Sequence, residues 1–157
     1  MQKSQFCFKA LLIVLLVSLL LTGCSKTKRN PEKEILNLTN TLVNNWYRDV
    51  EGFAKLYSNN VTLHVEDREA AIYDRATFKR ALAAIWDSRH KMEIVGTPKI
   101  VLSDDNKEAV VEFHFERITT TGTWAPEWSI NLSLKYDYDG NWVFTSYPFV
   151  LRNDVFH

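Results

Sequence analysis

The run Ala109–Thr120 alternates with a period of two. Ala109, Val111, Phe113 and Phe115 share one face, and Glu112, His114 and Glu116 share the other. The run Trp128–Tyr136 repeats the device: Trp128, Ile130, Leu132, Leu134 and Tyr136 alternate with Ser129, Asn131, Ser133 and Lys135. Successive side chains of a strand point to opposite sides, so this spacing demands a sheet buried on one face and wet on the other. Asp139-Gly140 predicts a two-residue hairpin turn, with Asn141–Phe149 returning from it. Lys91–Leu102 reads as a further strand, bent or bulged at Gly96-Thr97-Pro98, and the turn Ser103–Lys107 leads out of it. A curved, mostly antiparallel sheet of four to six strands follows.

The first half of the chain changes period. Ile35, Leu38, Leu42 and Trp46 recur at helical spacing. Asp49 is a candidate N-cap for a second helix burying Phe53, Leu56 and Tyr57, and Asn59-Asn60 breaks that pattern. Val61–Glu66 then alternates as a strand, with Val61, Leu63 and Val65 opposite Thr62, His64 and Glu66. Ala71-Ile72-Tyr73 predicts a brief strand, and Asp74 caps a third helix with Phe78, Ala81, Leu82 and Ile85 on one face. Three helices packed on a one-sided sheet make an α+β domain.

Ahead of this domain stands an export segment. Lys3 and Lys9 precede the apolar run Ala10–Leu21, and no acid occurs before Glu32. The run is too short for a membrane-spanning helix, which needs about 20 residues. The order Leu21-Thr22-Gly23-Cys24 resembles the lipobox of bacterial lipoproteins, in which the cysteine is acylated and becomes the mature N-terminus. The resemblance implies a signal peptide over 1–23, an acylated N-terminus and tether over 24–32, and a folded domain over 33–157. It also implies two or three acyl chains on Cys24. Each buried methylene contributes about 0.8 kcal/mol, so several chains hold the protein durably to a lipid bilayer. Ser25 in place of Asp resembles the outer-membrane class of a Gram-negative cell envelope.

Charge and cysteine content narrow the function. Loss of Lys3 and Lys9 takes the chain from a net charge of 0 to −2, with no basic footprint for nucleic acid. Cys7 leaves with the signal and Cys24 carries lipid, so no thiol remains for a disulfide, a zinc site or a nucleophile. His114 between Glu112 and Glu116 has ligand spacing, but the apolar face opposite turns all three toward solvent. No metal site and no cofactor motif is read from the sequence.

The order helix, helix, strand, short strand, helix and long strands resembles the NTF2-like superfamily, the cystatin-like α+β roll. Its SnoaL-like and ketosteroid-isomerase-like branches are the most similar. Asp49–His64, Asp74–Leu82 and Asp139–Phe144 carry the resemblance. It implies helices closing one side of a cone-shaped sheet around an apolar pocket. In the isomerase branch a carboxylate late in the first strand is the general base, but that position falls at or beside Val65, which cannot abstract a proton. Glu66 is one residue out of register, and the branch's helix-one tyrosine falls near Thr41. Neither role carries over.

Two kinds of candidate residue remain. If the chain is an isomerase, cyclase or dehydratase, His64 is the base, near Glu66 or Asp67, with Tyr73 or Tyr147 as donor. If it is a non-catalytic module, Trp46, Phe113, Trp124 and Trp128 line a site for a small apolar ligand or a protein partner. Trp124 lies in Thr119–Trp128, a loop expected to border the open end of the cone. The binding module leads, the enzyme follows, and a homodimer built on the exposed sheet face is the third reading.

Overall fold

Asp49 and Asp74 start helices as their side chains predict. In the computed structural model, which describes residues 29–86, 90–119 and 128–156, the Asp49 carboxylate accepts the Gly52 N–H at 2.9 Å and opens α2 (Val50–Lys55). A Cβ at position 52 would lie 2.2 Å from the Asp49 carboxylate, so a larger residue there would push the cap aside. The Asp74 carboxylate accepts the Thr77 N–H at 2.8 Å and opens α3 (Arg75–Ile85). The longest helix, α1 (Pro31–Asn45), starts on a proline, whose missing N–H costs nothing in a first turn. Glu32 and Glu34 there favour the positive end of the helix dipole. Its buried stripe is Ile35, Thr39, Leu42 and Val43, and the Thr39 hydroxyl donates to the Ile35 carbonyl at 2.9 Å.

The chain divides into two units, Met1–Asn30 and Pro31–His157, and every element named here belongs to the second. Its strands are β1 (Tyr57–Val65), β2 (Ala71–Asp74), β3 (His90–Leu102), β4 (Glu108–Thr119), β5 (Trp128–Tyr136) and β6 (Trp142–Leu151). They form one sheet in the order β2-β1-β6-β5-β4-β3, and a 3₁₀ turn, Asn153–Phe156, ends the described chain. Four neighbouring pairs are antiparallel, but β1 runs parallel to β6, so the sheet is mixed. The Phe144 N–H bonds the Leu56 carbonyl at 3.0 Å and the Glu66 N–H bonds the Leu151 carbonyl at 2.8 Å, tying the two ends of that parallel pair.

Several expectations are corrected. The second helix stops at Lys55, and Tyr57 opens β1 instead of closing the helix. Asn59-Asn60 does not end an element: it bulges within β1, where the pairing register with β6 shifts and Ser58 Oγ accepts the Asn60 N–H at 3.1 Å. Ile85, the last residue of α3, is 40% exposed instead of joining the buried face of Phe78, Ala81 and Leu82. The β5–β6 hairpin is longer than two residues. Asp137–Gly140 closes a turn by a Gly140 N–H to Asp137 carbonyl bond of 3.2 Å, and Gly140 takes a left-handed φ of +83°. The break in β3 is a register shift between Val95 and Lys99, with Gly96 at φ +75°.

The inner face of the sheet packs under the helices. Val61, Leu63 and Val65 of β1 meet Val111, Phe113 and Phe115 of β4, Ile130, Leu132 and Leu134 of β5, and Phe144, Tyr147 and Leu151 of β6 in one buried cluster. A fully buried apolar side chain of this size contributes about 1.5–3 kcal/mol. With no cysteine after Cys24, no disulfide cross-links this domain, and the core holds it together. No helix among the described residues is long and apolar enough to cross a membrane.

Candidate functional site

Trp46 sits where α1 ends, and from it a chain of rings runs to the surface. Its indole packs on Phe53 at 4.9 Å, on Phe149 at 5.7 Å, on Phe115 at 6.1 Å and on Tyr147 at 6.3 Å between centroids. Phe149 passes the contact to Trp128 at 6.2 Å, and Phe53 passes it to Trp86 at 5.4 Å. Trp86 meets Tyr47 at 5.9 Å, and Tyr47 meets the His90 ring at 5.5 Å. The series therefore gathers the C-terminal ends of α1 and α3, the start of β3 and the start of β5 at one end of the sheet.

Local backbone geometry aims these rings. Tyr47 holds φ at +63°, which costs a non-glycine residue on the order of 1 kcal/mol and turns its ring toward Trp86 and His90. Trp128 lies opposite Phe115 in the β4–β5 register and contacts it edge to face at 5.6 Å, so it belongs to the inner face. It is nonetheless 39% exposed, as the first residue of β5. The Arg117 guanidinium lies 5.6 Å above the Trp128 ring.

Two phenols lie deeper. Tyr57 is fully buried and its hydroxyl has no hydrogen-bond partner among the described residues. Burial pushes this phenol well above its ordinary range, and the neighbouring Tyr147 adds to the shift. Tyr147 is pushed upward as well, first by burial and then by Tyr47. Both phenols are neutral donors at any physiological pH, unfit to act as bases.

The candidates from sequence separate in space. His64 pairs in register with Val150, which is 67% exposed, while its neighbour Val65 pairs with the buried Leu151. His64 thus occupies the outer face of the sheet and Tyr147 the inner face. Tyr73 is half-buried on β2 and packs on Phe156 at 5.1 Å, near an edge of the sheet. His64, Tyr73 and Tyr147 do not form one constellation, because a strand sends neighbouring residues to opposite sides. Among the binding candidates, Trp46 and Trp128 join the ring series. Phe113 is 1% exposed and packs behind Phe115 at 6.3 Å, so it is core and not lip. Trp124 and Cys24 lie outside the described residues.

Sequence reading missed Tyr47, Tyr57, Trp86, His90 and Arg117. Arg117 was the most accessible of them, since the alternation through Ala109, Val111, Phe113 and Phe115 continues to position 117. His114 is exposed on the outer face, and no three His, Cys, Asp or Glu residues cluster in metal-binding geometry among the described residues.

No family model matches the sequence, and no curated protein matches it. Solved structures do match. An NTF-2 like protein of unknown function from Shewanella oneidensis superposes with a TM-score of 0.60 at 17% identity, over 79% of this chain and 100% of that one. A ketosteroid isomerase-like protein from Erwinia carotovora gives 0.54 at 16% identity, over 77% and 95%. A Catenulispora acidiphila protein solved in complex with S-DNPA gives 0.57 at 16% identity, over 73% and 88%. The likeness is one of fold: three helices on a curved six-stranded sheet, the NTF2-like roll.

Proposed function

We propose that this chain is a membrane-anchored cell-envelope module that binds a small apolar ligand at its aromatic end without transforming it. One observation carries the reading: half-exposed Tyr47, Trp86, Trp128 and Phe149 connect, ring to ring through Trp46, with the buried interior. Exposed aromatic surface joined to a core is what an apolar ligand needs, because it leaves water without opening a new cavity. That a neighbour of the same fold holds a small molecule supports the reading. The enzyme alternative loses its base when His64 faces outward, since the inner phenols stay protonated.

In this reading acylated Cys24 holds the module on a lipid bilayer, at the outer membrane if the host is Gram-negative. Two measurements test the two halves. N-phenyl-1-naphthylamine, a neutral apolar fluorophore, should brighten on the wild-type chain and much less on Trp128→Ala; no brightening on either rejects the ligand site. Labelled palmitate should enter the wild-type chain in a bacterial host and not Cys24→Ser; equal labelling rejects the anchor.

The outer face favours a homodimer as a second reading. Val101 and Val110 oppose each other in register, 56% and 41% exposed, beside an open groove of about 400 Å³ lined also by Ser133, Lys135 and Thr145. Light scattering that finds a strict monomer at high concentration rejects it.

A further inference from the structure

Arg117 is a cation on the apolar side of a strand. Its register partner across β3 is Met92, which is 6% exposed, and it continues the face of Phe113 and Phe115. Leaving a guanidinium on such a face is unfavourable unless something there uses its charge. Among the described residues its buried Nε has no hydrogen-bond partner, and none of the ion pairs includes the group. The nearest described acids do not supply one. Glu116 and Glu93 face each other across β4 and β3 one position away, on the outer side, and Glu93 takes Lys91 at 2.8 Å. What Arg117 does have is the Trp128 ring, whose centroid lies 5.6 Å from its Cζ, which places the cation at the edge of the aromatic end.

We infer that Arg117 receives the carboxylate of an amphipathic monocarboxylate whose apolar body lies across Trp128 and Phe149. The inference deepens the ligand-binding reading above and rests on it. The chemistry is specific: a planar guanidinium that no acid among the described residues neutralises matches a carboxylate with two parallel N–H···O bonds. The guanidinium's own planar fork is pre-organised, so less side-chain entropy is lost per hydrogen bond formed. Trp128 is 39% exposed and Phe149 is half-buried, which gives the body of the ligand an apolar surface beside the charge. A neutral ligand with the same body would use the rings and leave the cation as it is.

Decanoate and decan-1-ol, which share a chain and differ in the head, separate these contributions. Each is titrated against bound N-phenyl-1-naphthylamine on the full chain. Wild type should bind decanoate about tenfold more tightly than decanol, as a partly exposed charge-assisted pair predicts. Arg117→Met should lose that preference and keep its affinity for decanol, and Arg117→Lys should retain part of it. Equal binding of the two by wild type, or an undiminished preference in Arg117→Met, overturns the carboxylate assignment while leaving the ligand site standing. If the fluorophore binds and neither compound displaces it, the assignment likewise falls alone. If the fluorophore itself does not bind, both readings fall.

Discussion

Tyr57 and Tyr147 are neighbours inside the fold, with ring centroids 6.5 Å apart and planes tilted by 59°. One residue opens β1 and the other lies midway along β6, and only the parallel pairing of those strands brings them together. Phe78 closes the group, 4.8 Å from Tyr57 and 5.3 Å from Tyr147. Two hydroxyls in so apolar a setting are tolerable only as neutral groups, and this has a consequence for alkaline stability.

Both phenols titrate above the ordinary 10.0 in the folded state, so the unfolded chain releases their protons first. Their contribution is complete below pH 10 and is lost as pH climbs beyond it. The melting temperature should be insensitive to them between about pH 7 and 9, then fall steeply in wild type and less steeply in Tyr57→Phe. Because the Tyr57 hydroxyl is buried without a partner, the substitution should be neutral or stabilising by up to about 1 kcal/mol at neutral pH. An identical alkaline slope in the two proteins would show that the phenol titrates alike folded and unfolded.

Trp46→Ala should destabilise the domain by about 3–5 kcal/mol, the range for emptying a large aromatic site in a core. Four ring partners lose their contact at once, so N-phenyl-1-naphthylamine binding should weaken together with the urea midpoint. Trp46→Phe should recover a large part of the stability. A midpoint unchanged in Trp46→Ala contradicts the packing described.

His64→Ala should change stability by no more than about 0.5 kcal/mol, as for an exposed position without a special role. Fluorophore and decanoate binding should also be unaffected, because the histidine is on the other face of the sheet from the aromatic end. A loss of binding greater than tenfold would return His64 to the site.

Asp74→Ala should lower the melting temperature by a few degrees through loss of the α3 cap. The Thr77 N–H, followed by the Thr77 hydroxyl, holds the Asp74 carboxyl below its ordinary 3.8. The sign follows from that depression: the ionised cap is at full strength above the unfolded value and weakens as pH falls through the folded one. Thermal melts of the two proteins should therefore lie apart at neutral pH and draw together below about pH 4. A gap that stays constant through that range would assign the effect to something other than the carboxylate.

Local chemistry made much of the fold legible. Alternation through Ala109–Phe115 and Trp128–Tyr136 placed β4 and β5 and their inner faces, since side-chain direction in a strand depends only on the residue count. Asp49 and Asp74 marked helix starts because a cap is a contact between residues three apart. The order of elements was enough to indicate the roll, and the solved neighbours share it.

The candidate site was legible only in part. Trp46 and Trp128 are in it, whereas His64, Tyr73 and Phe113 are not at the aromatic end. Alternation said which face Trp128 takes, but its exposure depends on what packs over it in three dimensions, and no local pattern encodes that. Tyr57 read as helical because its spacing from Phe53 suits a helix, yet a long-range pairing with Phe144 claims it for β1. Sequence by itself determined faces, caps and class, which are set by neighbours along the chain. Tertiary structure alone decided which rings gather at one end, which phenols meet and that Arg117 stands over an indole, because those contacts join residues that the chain keeps apart.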